Sequence, residues 1–282
     1  MSDGTDSPSE LIRKAEAAGI SLLALTDHDT ISGWQAACAA LTPGVDLVLG
    51  AEISCQTEAG ISVHMLGLLF DPENEALLTA LAKTRENRLT RMDRIIEKLN
   101  AAGIEISIED VMAQLSDGAT LGRPHLADAL IAKGHVESRE SAFKALLHNG
   151  SKYYVSHYSP SPEAAIRLIK AAGGVAVIAH PYASQRGKII TAESFTSLVE
   201  AGLDGIEVDH RDHNESEKAS LLRVAYSYDL AITGASDCKV PTAICGGCVF
   251  WLRGVFPELF KMGACADDCV GELALEKKGI FF

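Results

Sequence analysis

Five residues spread along the chain have the chemistry of metal ligands and share one kind of position. His28, Glu52, His64, His180 and Asp237 each stand just after, or at the end of, an apolar run. Imidazole and carboxylate donors together suit zinc, manganese or iron, and a carboxylate can bridge two ions. Each residue alone has a plainer explanation. A histidine after a strand is commonly a hydrogen-bonded loop residue, and Glu52 could cap a neighbouring helix. Four barrel-type strands ending in His or acid make a shared metal site the stronger expectation, because short motifs gain weight only from their structural context.

The elements that must position these residues are legible as a repeated unit. An amphipathic helix ends in Ala-Gly, and a short apolar run follows that stops at a polar residue. Ser9 to Gly19 leads to Leu22-Leu23-Ala24-Leu25 and then Thr26-Asp27-His28-Asp29; Ala164 to Gly173 leads to Val175-Ala176-Val177-Ile178 and His180. Leu198 to Gly202 leads to Ile206-Glu207-Val208 and Asp209-His210, and Glu217 to Tyr228 leads to Leu230-Ala231-Ile232 and Ser236-Asp237. Glycine accepts the left-handed conformation at a helix C-terminus, and a short continuous apolar run suits a strand buried on both faces. Alternation of the two predicts a parallel α/β sheet. Polar residues at the C-terminal strand ends favour a β/α barrel, although an open doubly wound sheet places ligands at the same edge.

Two further strands, Leu47 to Ile53 and Ser62 to Leu69, are joined by the short polar link Ser54 to Gly60. From Asp71 to about Gly150 the pattern is helical, over Leu77 to Leu99, Ile108 to Leu115, His125 to Ala132 and Ser141 to His148, which predicts a helical insertion over the barrel mouth. The charges Glu86, Arg88, Arg91, Arg94 and Lys98 on its first helix read as a solvated face with ion pairs at helical spacing. The expected organisation is a barrel from residues 1–70 and 151–237, an insertion over 71–150, and a tail over 238–282.

Composition limits the function classes. The 282 residues carry 25 Lys and Arg against 38 Asp and Glu, a formal charge of −13. Binding nucleic acid through a basic surface needs clustered cations to displace counterions, so that mode is not expected. A small anionic substrate held by metal ions is compatible with the charge. Neither a signal peptide nor a membrane-length apolar run is evident, which predicts a cytoplasmic protein without a membrane partner. The odd cysteine count of 7 argues against a disulfide framework. Oligomeric state is left open.

The strings Leu25-Thr26-Asp27-His28-Asp29-Thr30, Gly50-Ala51-Glu52-Ile53-Ser54, His64-Met65-Leu66-Gly67, Gly122-Arg123-Pro124-His125 and Ala179-His180-Pro181, in that order, resemble the PHP (polymerase and histidinol phosphatase) superfamily. Within it, the match is to bacterial phosphoesterases acting on nucleoside 3′,5′-bisphosphates and short 5′-phosphorylated RNA. The resemblance implies a distorted (β/α)7 barrel with two to three divalent metal ions (Mn, Zn or Fe), whose hydroxide attacks a phosphate ester. It carries the metal-ligand pattern onto Asp3, His28, Glu52, His64, His180 and Asp237. It also assigns Arg123 to gripping the substrate phosphate and places His125 beside it, whereas a helix start with Pro124 in its first turn is the alternative. His210 and His213 follow the Glu207-Val208 strand and either line the substrate side or belong to a surface loop.

Three family histidines have no counterpart in the sequence. The family's first strand, ending in His-x-His, would precede Ser2-Asp3-Gly4, and a final histidine would follow Asp237 where Cys238-Lys239 stands. The expectations are therefore a first strand missing, fewer metal ions and impaired activity. Cys245-Gly-Gly-Cys248 and Cys265-Ala-Asp-Asp-Cys269 approach zinc-knuckle spacing, but the dense apolar stretch between them favours a change of reading frame near Cys238. The competing functions are a histidinol-phosphate phosphatase or amidohydrolase on the same barrel, and a non-catalytic metal-binding remnant.

Overall fold

The computed structural model describes residues 6–115, 119–156 and 158–235. Asp3, Asp237 and the cysteine-rich stretch from Cys238 lie outside the described residues, and with them the expectations attached to both ends. Six strands form one sheet in chain order: β1 (Leu22–His28), β2 (Asp46–Gln56), β3 (Ser62–Leu68), β4 (Val175–Ala179), β5 (Gly205–His210) and β6 (Ala231–Ala235). β1 and β2 pair in parallel, as do β4 with β5 and β5 with β6. β3 runs antiparallel to both of its neighbours, which corrects the expectation of a uniformly parallel sheet. The cause is chain length. A parallel return needs a crossover of about a dozen residues, and the link 57–61 is a tight turn in which Gly60 takes a φ of 75°.

Alternation along the strands sorts their side chains to two faces. Leu23 and Leu25, Ala51 and Ile53, Met65, Ala176 and Ile178, and Ile206 and Val208 point outward into the main core. There they meet α1 (Pro8–Ala17), α2 (Trp34–Ala39), α7 (Pro162–Ala171), α8 (Ser194–Glu200) and α9 (Glu215–Ser227). The helix faces are the apolar stripes expected of surface helices: Leu11, Ile12 and Ala15 on α1, and Ala165, Ile166 and Ile169 on α7. Side-chain oxygens of Ser7, Ser161 and Asn214 cap the first turns of α1, α7 and α9, each cap contributing about 1 kcal/mol.

The other face packs Ala24, Val48, Leu66, Leu68, Val177, Ala179 and Ala235 into a second, smaller cluster. Members from β1 and β6 lie in the same cluster, so the sheet is curled into a half barrel. The architecture is α/β, with β1 and β6 as sheet edges among the described residues. No helix among these residues is long and apolar enough to cross a membrane.

Between β3 and β4 the chain is helical: α3 (Glu75–Ala101), α4 (Ile108–Met112), α5 (Arg123–Ala132) and α6 (Arg139–Ala142), the last running into a π turn over Phe143–Leu147. α3 belongs to two cores. Leu77 and Leu81 join the sheet's main cluster, whereas Met92, Ile95, Ile96 and Leu99 join a separate cluster with α4 and α5. At the junction Arg88 and Arg91 turn inward, which corrects the reading of this charged row as solvated. Arg88 is drawn to the buried Asp29 carboxylate at 2.9 Å, and Arg91 donates to the Val155 carbonyl at 2.7 Å.

Candidate metal centre

The inner-face alternation that holds Ala24 and Val48 also selects the polar residues at the strand ends. On β1 the inward series is Ala24, Thr26, His28, and on β2 it is Val48, Gly50, Glu52. His28 pairs with Glu52 in register. On the reversed β3 the inward series runs Leu68, Leu66, His64, so His64 lies near the start of its strand and still reaches the same sheet edge. Its position before the apolar run, rather than after it, departs from the sequence expectation. His64 lies opposite Ser54 and Ala179, one diagonal step from Glu52 and beside the residue that precedes His180. Gly50 permits the close strand packing beneath: a Cβ there would lie 2.6 Å from the Gly67 carbonyl oxygen.

Three imidazoles converge on one carboxylate. His64 Nδ1 lies 2.6 Å and His180 Nε2 3.2 Å from Glu52 Oε1, while His28 Nδ1 lies 3.8 Å from Oε2. Glu52 is 3% exposed. One ligand atom each from His28, Glu52 and His64 lies within 4.8 Å of the others. Burial pushes the Glu52 carboxyl up, but the His28 and His64 charges and hydrogen bonds from His180 and His64 outweigh it and hold the group well below the usual carboxylate range. Burial pushes His64 down to about 4 against the opposing pull of Glu52. An ionised carboxylate beside a neutral imidazole is the protonation state that coordinates a divalent ion, so the donor set fits a metal.

Surrounding groups hold this edge in place. His180 adopts a φ of 30°, unusual for a residue with a Cβ, and its backbone N–H donates to Glu207 Oε2 at 2.8 Å. Glu207 is fully buried on β5. Asp29, immediately after His28, also has positive φ, at 53°. Its carboxylate accepts from the Ser54 N–H and hydroxyl at 2.9 and 2.8 Å and pairs with Arg88, and its carbonyl accepts from Arg85. α3 is thereby clamped across the ends of β1 and β2. Sequence reading gave Asp29, Ser54 and Glu207 no role and placed Arg88 on a solvated face. The available signal was an acid inside the apolar run Ile206-Glu207-Val208.

The other anticipated residues fall into two groups. His210 sits next to His180, ring centroids 5.3 Å apart, and accepts from the Asp212 N–H at Nδ1. His213 donates from Nδ1 to the Val208 carbonyl of β5 and accepts at Nε2 from the Tyr182 N–H, so its ring bridges the β5 backbone and the loop after β4. Arg123 and His125 open α5. His125 is buried and accepts from the Gly122 N–H at 3.1 Å. Arg123 donates to the Leu147 carbonyl at 2.6 Å and to Asn149 Oδ1 at 2.8 Å, with its guanidinium 5.7 Å from the Tyr154 ring centroid. Arg88, which also donates to the Leu121 carbonyl, links the Gly122-Arg123 turn to Asp29.

Comparison with known proteins places this geometry. Residues 1–147 match the PHP domain family. The chain is 35% identical to a 3′,5′-nucleoside bisphosphate phosphatase of Chromobacterium violaceum, over 85% of this chain and 84% of that protein. It is 36% identical to a 5′-3′ exoribonuclease of Haemophilus influenzae, over 85% and 87%. A crystal structure from Bifidobacterium adolescentis, assigned as a metal-dependent phosphoesterase, superposes with a TM-score of 0.81 at 40% identity, covering 87% of each chain.

Proposed function

The chain belongs to the PHP domain family and is a hydrolase of its phosphoesterase kind, and from that premise we propose that it hydrolyses phosphate esters of nucleoside 3′,5′-bisphosphates or short 5′-phosphorylated RNA. The observation that carries the proposal is the convergence of His28, His64 and His180 on the buried Glu52 carboxylate. The names of the 35% and 36% identical relatives support the substrate class.

In this reading His28, Glu52, His64 and His180 hold the metal, with Asp3 and Asp237 as further ligands by resemblance. A bound divalent ion supplies Lewis acidity toward phosphate oxygen and lowers the pKa of water. The protein's own part is preorganisation. Glu52 stays ionised in a poorly solvated pocket, and His64 stays neutral, so neither must change its protonation state to bind a cation. Glu207 fixes the backbone of His180, and the Asp29–Arg88 pair fixes the chain on either side of His28. Arg123 contributes a guanidinium fork suited to a phosphate. His125 holds the turn that presents it, and His210 and His213 hold the far wall. Residues 1–70 and 151–237 form the metal-bearing unit, a distorted (β/α)7-type barrel without its first strand, and 71–150 form the substrate-covering unit.

The test is phosphate release from adenosine 3′,5′-bisphosphate, and cleavage of a 5′-phosphorylated tetraribonucleotide, by protein stripped of metal and then supplied with Mn2+ or Zn2+. Metal-restored turnover that exceeds turnover on histidinol phosphate is expected. Turnover unaffected by stripping, or preference for histidinol phosphate, would overturn the proposal.

A further inference from the structure

Just past the π turn lies a dipeptide that the metal centre leaves unused. Asn149 is followed by Gly150 on an exposed turn. The sequence holds five asparagines, and this one alone precedes a glycine. The others are held by their elements. Asn74 and Asn214 cap α3 and α9, Asn87 donates along α3 to the Lys83 carbonyl, and both amide atoms of Asn100 bond the Ile106 backbone.

The Asn149 amide is oriented from two sides. Its Oδ1 accepts from Arg123 Nη1 at 2.8 Å, and because a guanidinium only donates, the amide oxygen is the atom that faces it. Its Nδ2 is turned to the loop after β4, where a Cβ built on Gly187 would lie 3.3 Å away. The Gly150 N–H donates to His148 Nδ1 at 3.1 Å. That imidazole nitrogen would lie 3.3 Å from a Cβ at position 150, so glycine is what lets the ring come close. It also leaves the Gly150 nitrogen without a side chain to shield it.

Each contact falls on an atom that amide-to-imide chemistry must change. A backbone nitrogen is a poor nucleophile until its proton is removed, and a base within hydrogen-bond reach can remove it. A cation held against the amide oxygen stabilises the charge that develops there during attack. Nucleophile and electrophile belong to adjacent residues, so the step is unimolecular.

We propose that Asn149-Gly150 is a site of spontaneous deamidation, with His148 as the base and Arg123 as the partner of the oxyanion. The Gly150 nitrogen gives its proton to His148 Nδ1 and forms a bond to Asn149 Cγ. The Cγ–Nδ2 bond of that tetrahedral centre then breaks, His148 returns the proton to the leaving nitrogen, and ammonia departs. A five-membered imide joins the two residues. Water opens it at either carbonyl, which leaves an aspartate or an isoaspartate at position 149, and no electron is gained or lost. The consequence for Arg123 rests on the proposed function. A carboxylate in place of the amide pairs with the guanidinium assigned to the substrate phosphate and competes with that phosphate for it. The turn is thereby a slow, one-way loss of substrate affinity as the protein ages.

The test incubates the full chain at neutral pH and follows intact mass, peptide maps and released ammonia. The wild type should gain a single mass unit, confined to the peptide that holds Asn149, while the other asparagines keep their amides. His148→Gln should slow the gain roughly tenfold or more, the effect of losing a positioned base. Gly150→Ala should slow it too, by screening the nitrogen and displacing the ring. Both positions are exposed, and either variant carries the test if the other does not fold. A wild type that keeps its amide, a gain spread evenly over all the asparagines, or a rate that His148→Gln leaves unchanged overturns the proposal. With metal restored, Asn149→Asp should raise KM for adenosine 3′,5′-bisphosphate about fivefold, the scale of an exposed ion pair, with a smaller change in kcat. An unchanged KM overturns the link to Arg123. The mass gain needs no turnover, so a wild type inactive on every phosphate ester would sink the proposed function and leave the modification site standing.

Discussion

The strand-end cluster and the helical segment solve opposite electrostatic problems. At the sheet edge one buried carboxylate is surrounded by imidazoles from β1, β3 and the end of β4, an arrangement that favours a cation. On α3 and α5 guanidiniums gather around one tyrosine, an arrangement that favours an anion. The Asp29–Arg88 pair joins opposite charges from the two regions directly, and it is buried at their boundary. The lesson is a division of labour. The sheet supplies distant, singly placed donors through strand register, while the helices supply cations in rows spaced by the helical repeat.

The hardest test of the contrast is removal of the carboxylate. Glu52→Gln leaves three imidazoles around a neutral amide. Metal content after dialysis against Mn2+ should fall below one-tenth of the wild-type value, and turnover should fall by roughly a thousandfold, the scale lost when a principal electrostatic group is removed from an active site. Retained metal and turnover would mean that the sheet edge is not the metal-bearing region.

A second test cuts the boundary. Arg88→Met strands the fully buried Asp29 carboxylate, and breaking such a pair costs about 3–5 kcal/mol. Urea denaturation should show a loss of that order, whereas Arg94→Met on the exposed side of α3 should change stability by less than about 0.5 kcal/mol. Equal effects from the two would mean that the junction does not couple the regions.

The smallest expected effect is in pH. His64 has its folded-state value pushed down to about 4 from an ordinary 6.5. Between those values the unfolded chain binds more protons than the folded one, so stability rises with pH across that window and is lost as pH falls through it. Metal-free protein should show a urea midpoint that drops between about pH 6.5 and 4, and His64→Gln should flatten that drop. An unchanged slope in the variant would place the titration elsewhere.

Much of this was legible in advance. The apolar runs at Leu22, Leu47, Ser62, Val175, Ile206 and Leu230 are strands, and the helices after Asp71 follow the apolar repeat. Period-2 and period-3.6 spacing are local properties, so they can be read from neighbours in the chain. The types and order of His28, Glu52, His64 and His180 were likewise written in the sequence, and so was the family.

Tertiary structure alone decided three things. It reversed β3, because the short link between β2 and β3 cannot cross over the sheet, and that reversal is what brings His64 to the edge occupied by Glu52. It turned Arg88 and Arg91 inward, because their partners lie far along the chain: Arg88 meets Asp29 from 59 positions away and Arg91 meets Val155 from 64. It paired Glu207 with the backbone of His180, across 27 positions. Spacing along a chain fixes which face a side chain takes on its own element. Where that face is aimed depends on strand direction and on charges that only folding brings within reach.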